Sequence, residues 1–551
     1  MKQLIKDYRR IKNNKLLTFA YFLVSIFSYG YVITHETIGM DDTGIECYFS
    51  DGLAPQVGRW TLFLLNKIFH MSEFTPYFMD LLGVLLLVGS VIIYVILFKR
   101  VTRNQIGTFG CLAFGCLFLS SPFMGEVFIY YLHNGIGLSF FLLSLTGLCM
   151  LKVTEKFDWK NLLYASIFVS IAIGCYESFA LVYLVQVAFV FLLTEIFKEE
   201  KIKFSSFAKQ LGLYLIPLIV SVIVRKILPA LITLSLGLEM DARGVSHMKY
   251  WFLNNPFVIA IDLVFQFILR YFVSGMYFFG VFVFALMMGI FSVLLIYVTI
   301  KKKNIRILVF GAVMMLIPWL LIPVELVITP YRACQAVVFL IAAISMMFFD
   351  FIEKYSATHL KSKKFIMGLA GALFLVLLFN QGFSLNKYFY VDELKNKNDE
   401  RVCREIALEL ERNYNLNKPV AFVGEYEMPK EIRKYVYLSP DSDEYKTLSQ
   451  TLMFSGIIGF YNYVDNAYGY RIYEIGSQDP LAWMTWASLN VNSDEREIYR
   501  YFRMLGYSLV PATSEQIEKA REISAGGEIW PKSGSITETD EMIIVRIGKD
   551  R

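Results

Sequence analysis

Two adjacent aspartates, Asp41 and Asp42, lie on a Gly-flanked loop directly behind the first apolar run of the chain. Neighbouring carboxylates repel, so one tends to keep its proton to higher pH unless a cation lies nearby. That suits a general base, a base with an orienting partner, or an oxygen pair for a divalent cation such as Mg or Mn. The plainer reading is a solvated acidic loop that caps the next helix. About 16 residues on, Gly58-Arg59-Trp60 opens an amphipathic stretch, 58–69, too short to span a bilayer. A guanidinium there can grip a phosphate through two parallel N–H bonds. It can equally serve as an interfacial anchor beside its tryptophan. Further polar residues punctuate apolar sequence: His133, Glu177 beside Tyr176, Arg225-Lys226, Arg243, His247 and Arg332. Ionised groups at the ends of apolar helices are costly unless paired or hydrated, which favours a polar cavity around them. On that cost Arg225 and Lys226 are phosphate-binding candidates, against simple snorkelling to the interface. His133, Tyr176, Glu177, Arg243 and His247 are substrate-binding candidates, against a satisfied core histidine, a turn and a solvated loop. No His/Cys cluster has zinc spacing, and no glycine pattern forms a nucleotide-phosphate loop.

The elements that must position these residues follow from composition. Of 551 residues, 56% are hydrophobic, 16% aromatic and only 18% charged, and the mean hydropathy is +0.49. So apolar a chain needs a bilayer as solvent, which excludes a disordered chain, a nucleic-acid-binding domain and a disulfide-stapled secreted module. Runs long enough to span lie near 16–34, 77–98, 105–121, 135–151, 161–175, 179–197, 210–232, 274–299, 307–324, 333–352 and 365–382. Residues 1–386 carry 32 Lys and Arg against 21 Asp and Glu, whereas 387–551 carry 21 against 27. The first region is therefore a transmembrane domain and the second a soluble one. Helical patterns near 397–415, 442–453, 493–505 and 514–523 alternate there with β-type runs at 419–424, 506–510 and 541–547, an α/β arrangement. Phe460–Arg471, followed by Trp483 and Trp486, is rich in aromatic faces suited to stacking on sugar rings or to packing.

Orientation follows from the basic clusters. Met1–Lys15, Lys99–Arg103, Lys152–Lys160, Lys198–Lys209, Lys301–Arg306 and Lys354–Lys364 hold 24 of the 32 Lys and Arg of the first region. In an alternating topology all fall on one side, the cytoplasmic one. The segment 255–273, with Asp262, Gln266 and Arg270 at intervals of four, then reads as an interfacial helix. The expectation is eleven spans in the bacterial cytoplasmic membrane, the N-terminus inside, and the C-terminal domain and all candidate site residues outside.

These residues resemble the bacterial serotype-converting type II glucosyltransferases, polytopic enzymes of the GT-C class. Asp41-Asp42 and Gly58-Arg59-Trp60 carry the resemblance; Tyr176-Glu177-Ser178, Pro330-Tyr331-Arg332, Trp530-Pro531 and Gly534-Ser535 support it, with Glu177 where the family often has Gln. The resemblance implies an undecaprenyl-phosphate-linked sugar (glucose, another hexose or an N-acetylhexosamine) as donor and a surface polysaccharide such as O-antigen or cell wall as acceptor. It also implies inversion, with Asp41 or Asp42 as base and the donor phosphate held by Arg59 and Arg332, joined on the burial argument by Arg225 and Lys226. The rivals are a transporter or flippase of lipid-linked sugars and a catalytically dead acceptor-binding scaffold.

Overall fold

The computed structural model describes residues 2–38, 42, 49, 52–73, 75–198, 204–238, 260, 281–320, 331–358, 362–424, 426, 429–435 and 496–548. Its contacts divide into two compact units. The first comprises Met1–Thr34, Phe49–Phe128 and Leu132–Lys387; the second comprises His35–Tyr48, Ile129–Tyr131 and Tyr388–Arg551.

The first unit is helical. Its helices are α1 (Lys2–Arg10), α2 (Asn14–Thr34), α3 (Trp60–Phe69), α4 (Pro76–Val101), α5 (Thr108–Leu119), α6 (Ile136–Glu155), α7 (Trp159–Cys175), α8 (Phe179–Phe197), α9 (Phe204–Ser235), α10 (Val281–Lys302), α11 (Ile305–Leu316), α12 (Gln335–Thr358) and the start of α13 (Lys363–Asn413). All eleven apolar runs carry helix among the described residues. Among the described residues eight helices are long and apolar enough to cross a membrane by length and composition, while Trp159–Cys175 and Ile305–Trp319 are shorter. Phe19 and Phe27 of α2, Ile219 and Leu231 of α9, and Phe365 and Phe379 of α13 are exposed, as a lipid-facing surface requires. The interior is aromatic. Phe98 meets Phe114, Phe189 and Phe339 edge to face. Polar groups inside are paired: the Tyr94 hydroxyl donates to Gln186 Oε1 at 3.0 Å, and Gln186 Nε2 donates to the Leu143 carbonyl at 3.1 Å. At the start of α5 the Gly107 and Phe109 amides donate to Asp350 and Glu353 of α12, at 2.7 and 2.9 Å. Carboxylates there satisfy amides that the helix itself leaves open and complement its dipole.

The helix α13 runs unbroken for 51 residues, through the position at which the charge pattern changes. The reason is local: 383–396 holds no Gly or Pro, and further on Glu393–Lys397, Glu400–Arg404 and Arg401–Glu405 pair one turn apart. In the second unit it is joined by β1 (Pro419–Val423), α14 (Arg496–Met504), β2 (Val510–Pro511), α15 (Ser514–Ser524), β3 (Ile536–Glu538) and β4 (Ile543–Arg546). The sheet order is β2-β1-β4-β3, with β1 parallel to β2 and β4 and a β3–β4 antiparallel hairpin. One apolar layer joins Val402, Ile406 and Leu410 of α13 to Phe422, Tyr501, Phe502 and Val545. The other joins Ala421, Val423 and Ile544 to Ile517 and Ala520 of α15. The β3 strand has no counterpart in the sequence reading, because three residues are too few for an alternation to register. The 442–453 run, the aromatic stretch 460–471 with Trp483 and Trp486, and nearly all of 255–273 lie outside the described residues.

Candidate active site

Arg59 stands at the N-cap of α3. The first turn of this helix is fastened to the last turns of α7: the Thr61 hydroxyl donates to the Ile171 carbonyl at 3.0 Å. The Trp60 indole lies against Gly174, where a Cβ would overlap its nitrogen and the Thr61 hydroxyl. That packing sets Arg59 above the turn that links α7 to α8. Its guanidinium lies 4.5 Å from the Tyr176 ring centroid, a cation–π contact, and its Nε is 3.8 Å from Glu177 Oε2. Arg225, midway along α9, brings Nη2 to 3.6 Å from the same oxygen. This approach depends on Gly58, which has φ +84° and whose Cβ, if present, would stand 3.1 Å from the Arg225 guanidinium.

One carboxylate oxygen thus serves two guanidiniums. Glu177 Oε2 is buried and makes no hydrogen bond among the described residues, and both ion pairs are longer than a hydrogen bond. The side chains of Arg59, Glu177 and Arg225 are 21%, 28% and 33% exposed, so the group is reachable. Burial pushes the Tyr176 phenol up, and the Arg59 charge pulls it partly back; at neutral pH it is a hydroxyl donor.

Arg332 is held differently. Its backbone amide donates to Glu126 Oε2 at 3.0 Å and its Nη1 to Oε1 at 2.7 Å. Glu126 is only 3% exposed, so this cation carries a buried counter-charge. Both members act electrostatically on Tyr176, which places the second pair near the first. Lys226 is exposed and enters no ion pair among the described residues. His133 lies in a tight turn with φ 46° and its Nε2 is 2.7 Å from Asp80 Oδ1, both side chains buried. Its ring packs on Phe128 at 4.4 Å. Within the second unit, Asp42 is buried and its Oδ1 accepts the Tyr131 amide at 3.0 Å. Asp41, Arg243 and His247 lie outside the described residues. No group of three or more His, Cys, Asp or Glu side chains converges among those described.

Of the candidates, Arg59, Tyr176, Glu177 and Arg225 come together, with Arg332 close by. Asp80 and the pairing role of Glu126 were missed by the sequence reading. A signal for Asp80 existed, since an acid one turn inside an apolar helix implies a partner.

Several long apolar helices compatible with a membrane protein, ion-paired arginines at a partly exposed turn and an α/β sheet unit are the features that the described residues combine. The chain belongs to the glucosyl transferase GtrII family, whose model matches residues 30–349, more than half of its length. Asp42, Arg59, Tyr176, Glu177, Arg225 and Arg332 all fall inside that span. Membership makes the protein a glycosyltransferase. No curated protein and no solved structure matches the chain.

Proposed function

We propose that the protein transfers one glucose from an undecaprenyl-phosphate-linked donor to a surface polysaccharide such as O-antigen, on the outer side of the bacterial cytoplasmic membrane. The observation that carries this reading is the shared Glu177 oxygen between Arg59 and Arg225. Two guanidiniums already spaced around one anionic oxygen suit a phosphate. In the reaction the acceptor hydroxyl gives its proton to Asp41 or Asp42, and its oxygen attacks the anomeric carbon from the face opposite the phosphate. The bond from that carbon to the phosphate oxygen breaks, its electron pair leaves on the lipid phosphate, and configuration inverts. Arg59 and Arg225 stabilise the charge that develops on the leaving group, where preorganised cations contribute most. Arg332 is a reserve cation, released only if Glu126 is displaced. Eleven spans, a cytoplasmic N-terminus and an external C-terminal domain complete the reading; a divalent cation on Asp41-Asp42 is compatible with it.

The test is a comparison of surface polysaccharide from wild-type and deletion strains. Loss of one glucose side branch is the expected result. An unchanged polysaccharide together with accumulation of lipid-linked glucose on the cytoplasmic side would instead indicate transport.

A further inference from the structure

The helix α8 carries charge at both ends: Glu177 precedes its first turn, and Glu195 and Lys198 close its last. Its 19 residues rise about 28 Å, close to the hydrocarbon thickness of a bilayer. A membrane-crossing α8 therefore puts its two ends at opposite interfaces. At the second end several helices of the first unit bring cations together. Asn304, which caps α11, donates to Glu195 Oε2 at 2.6 Å, and Arg306 brings Nη1 to 3.6 Å from Oε1. Phe191, Phe207 and Phe310 pack on one another and fasten α8, α9 and α11 together beside that group. The Arg306 guanidinium lies 5.1 Å from the Phe207 ring centroid. The end of α10 is drawn in as well, since Lys302 Nζ donates to the Lys198 carbonyl at 3.4 Å. From α12, Lys354 Nζ stands 4.3 Å from the Phe197 ring centroid.

Cations favour a helix C-terminus, and basic loops mark the cytoplasmic side without any site. Two features go beyond both. Glu195 meets Arg306 and Asp350 meets Lys354, whereas Lys198 and Lys302 are exposed and enter no ion pair among the described residues. Large apolar side chains are exposed alongside them: Ile296 and Ile300 on α10, Ile305 and Val309 on α11. Ile300 and Ile305 flank the turn next to Lys302 in the sequence. Cations gathered between helices beside an apolar flank match an amphiphile with an anionic head. The adjoining 199–203 lie outside the described residues and form no part of the site.

We infer that Lys198 and Lys302, with Arg306 and Lys354 beside them, bind the phosphate headgroup of an anionic phospholipid whose acyl chains lie along α10 and α11. A free phosphate shares the head and lacks the chains, so the apolar flank selects the lipid. The site is separate from the Arg59–Glu177–Arg225 group, a helix length away on α8.

Full-length protein, delipidated in a neutral detergent, is titrated with mixed micelles containing phosphatidylglycerol or phosphatidylcholine. Native mass spectrometry counts retained lipid, and thermal melting gives a second readout. Phosphatidylglycerol should be retained and should raise the melting temperature, with phosphatidylcholine doing neither. Lys198→Gln combined with Lys302→Gln should weaken the phosphatidylglycerol Kd about thirtyfold, at about fivefold for each charge near a membrane surface. Lys6→Gln combined with Lys12→Gln removes two other exposed cations and should keep wild-type affinity. An equal loss in both double variants would reduce the effect to general surface charge and overturn the site, as would wild-type affinity in the first. Inorganic phosphate stabilising as strongly as the lipid would leave a small-anion site only, and equal retention of phosphatidylcholine would remove headgroup recognition. Displacement of the phospholipid by a short-chain polyprenyl monophosphate at equal concentration would assign the cations to the lipid substrate instead. If the Lys198/Lys302 double variant does not accumulate, Lys198→Gln alone decides: a fivefold loss supports the site and an unchanged Kd refutes it.

Discussion

Replacing Glu177 by Gln removes the charge that the two arginines share while keeping the shape of the side chain. At 3.6 and 3.8 Å, each ion pair is worth about 4–5 kcal/mol at an effective dielectric constant of ~20 and about 1 kcal/mol in bulk water. The three side chains are between about one-fifth and one-third exposed, so solvent screening brings a working figure to ~1–2 kcal/mol per pair. A lipid phosphate entering between the guanidiniums must displace that attraction. In the variant it need not, and about 1.4 kcal/mol corresponds to tenfold in affinity. With two pairs removed, together ~2–4 kcal/mol, Glu177→Gln should therefore lower the Kd for a short-chain polyprenyl monophosphate, and the donor KM, by about thirtyfold or more. The gain should shrink as salt rises from low to high ionic strength. Because the released lipid phosphate is more highly charged than the donor, it should be retained longer, and kcat should fall or stay level rather than rise. The assay is fluorescence titration of detergent-purified protein alongside transfer kinetics in membranes, with thermal melting as a control for folding. A Kd raised to the level of Arg225→Ala would refute the reasoning, because it would mean that the carboxylate aligns the guanidiniums rather than competing for them. An unchanged Kd would mean that the phosphate binds elsewhere.

Other perturbations test neighbouring parts of the same geometry. Arg59→Ala should raise donor KM by at least tenfold with expression preserved, since the residue lies at a partly exposed helix start; normal donor affinity would remove it from the phosphate site. Gly174→Ala forces a methyl group into the Trp60 indole. It should cost about 1–3 kcal/mol of stability and weaken donor use through displacement of Arg59; a variant with wild-type melting and wild-type KM would contradict the packing. Gly58→Ala combines a left-handed backbone with crowding of the Arg225 guanidinium, so its donor KM should rise even where the protein accumulates normally, as kinetics in membranes will show. Cysteine placed within 455–470 should react with a membrane-impermeant reagent added from outside the cell; labelling only after permeabilisation would reverse the proposed orientation.

How much of this was legible in the sequence depends on the range over which each feature is determined. Arg59, Glu177 and Arg225 stood out because a charge among apolar residues carries a cost wherever it lies, and the cost can be read without knowing the partner. The partners themselves are long-range facts. That Arg59 and Arg225 converge on one oxygen depends on Gly58 and Gly174 allowing α3 to approach α9 and α7, and a lone glycine carries no such signal. Arg332 illustrates the same limit from the other side: the sequence marks it as a cation, but only the fold reveals that Glu126 already neutralises it. Helix existence was legible from apolar runs, yet the extent of α13 was not. The charge pattern changes near residue 387 while the backbone, lacking Gly or Pro over 383–396, has no reason to stop. Composition reports the solvent around a segment, and helix breakers report its continuity; the two diverge here.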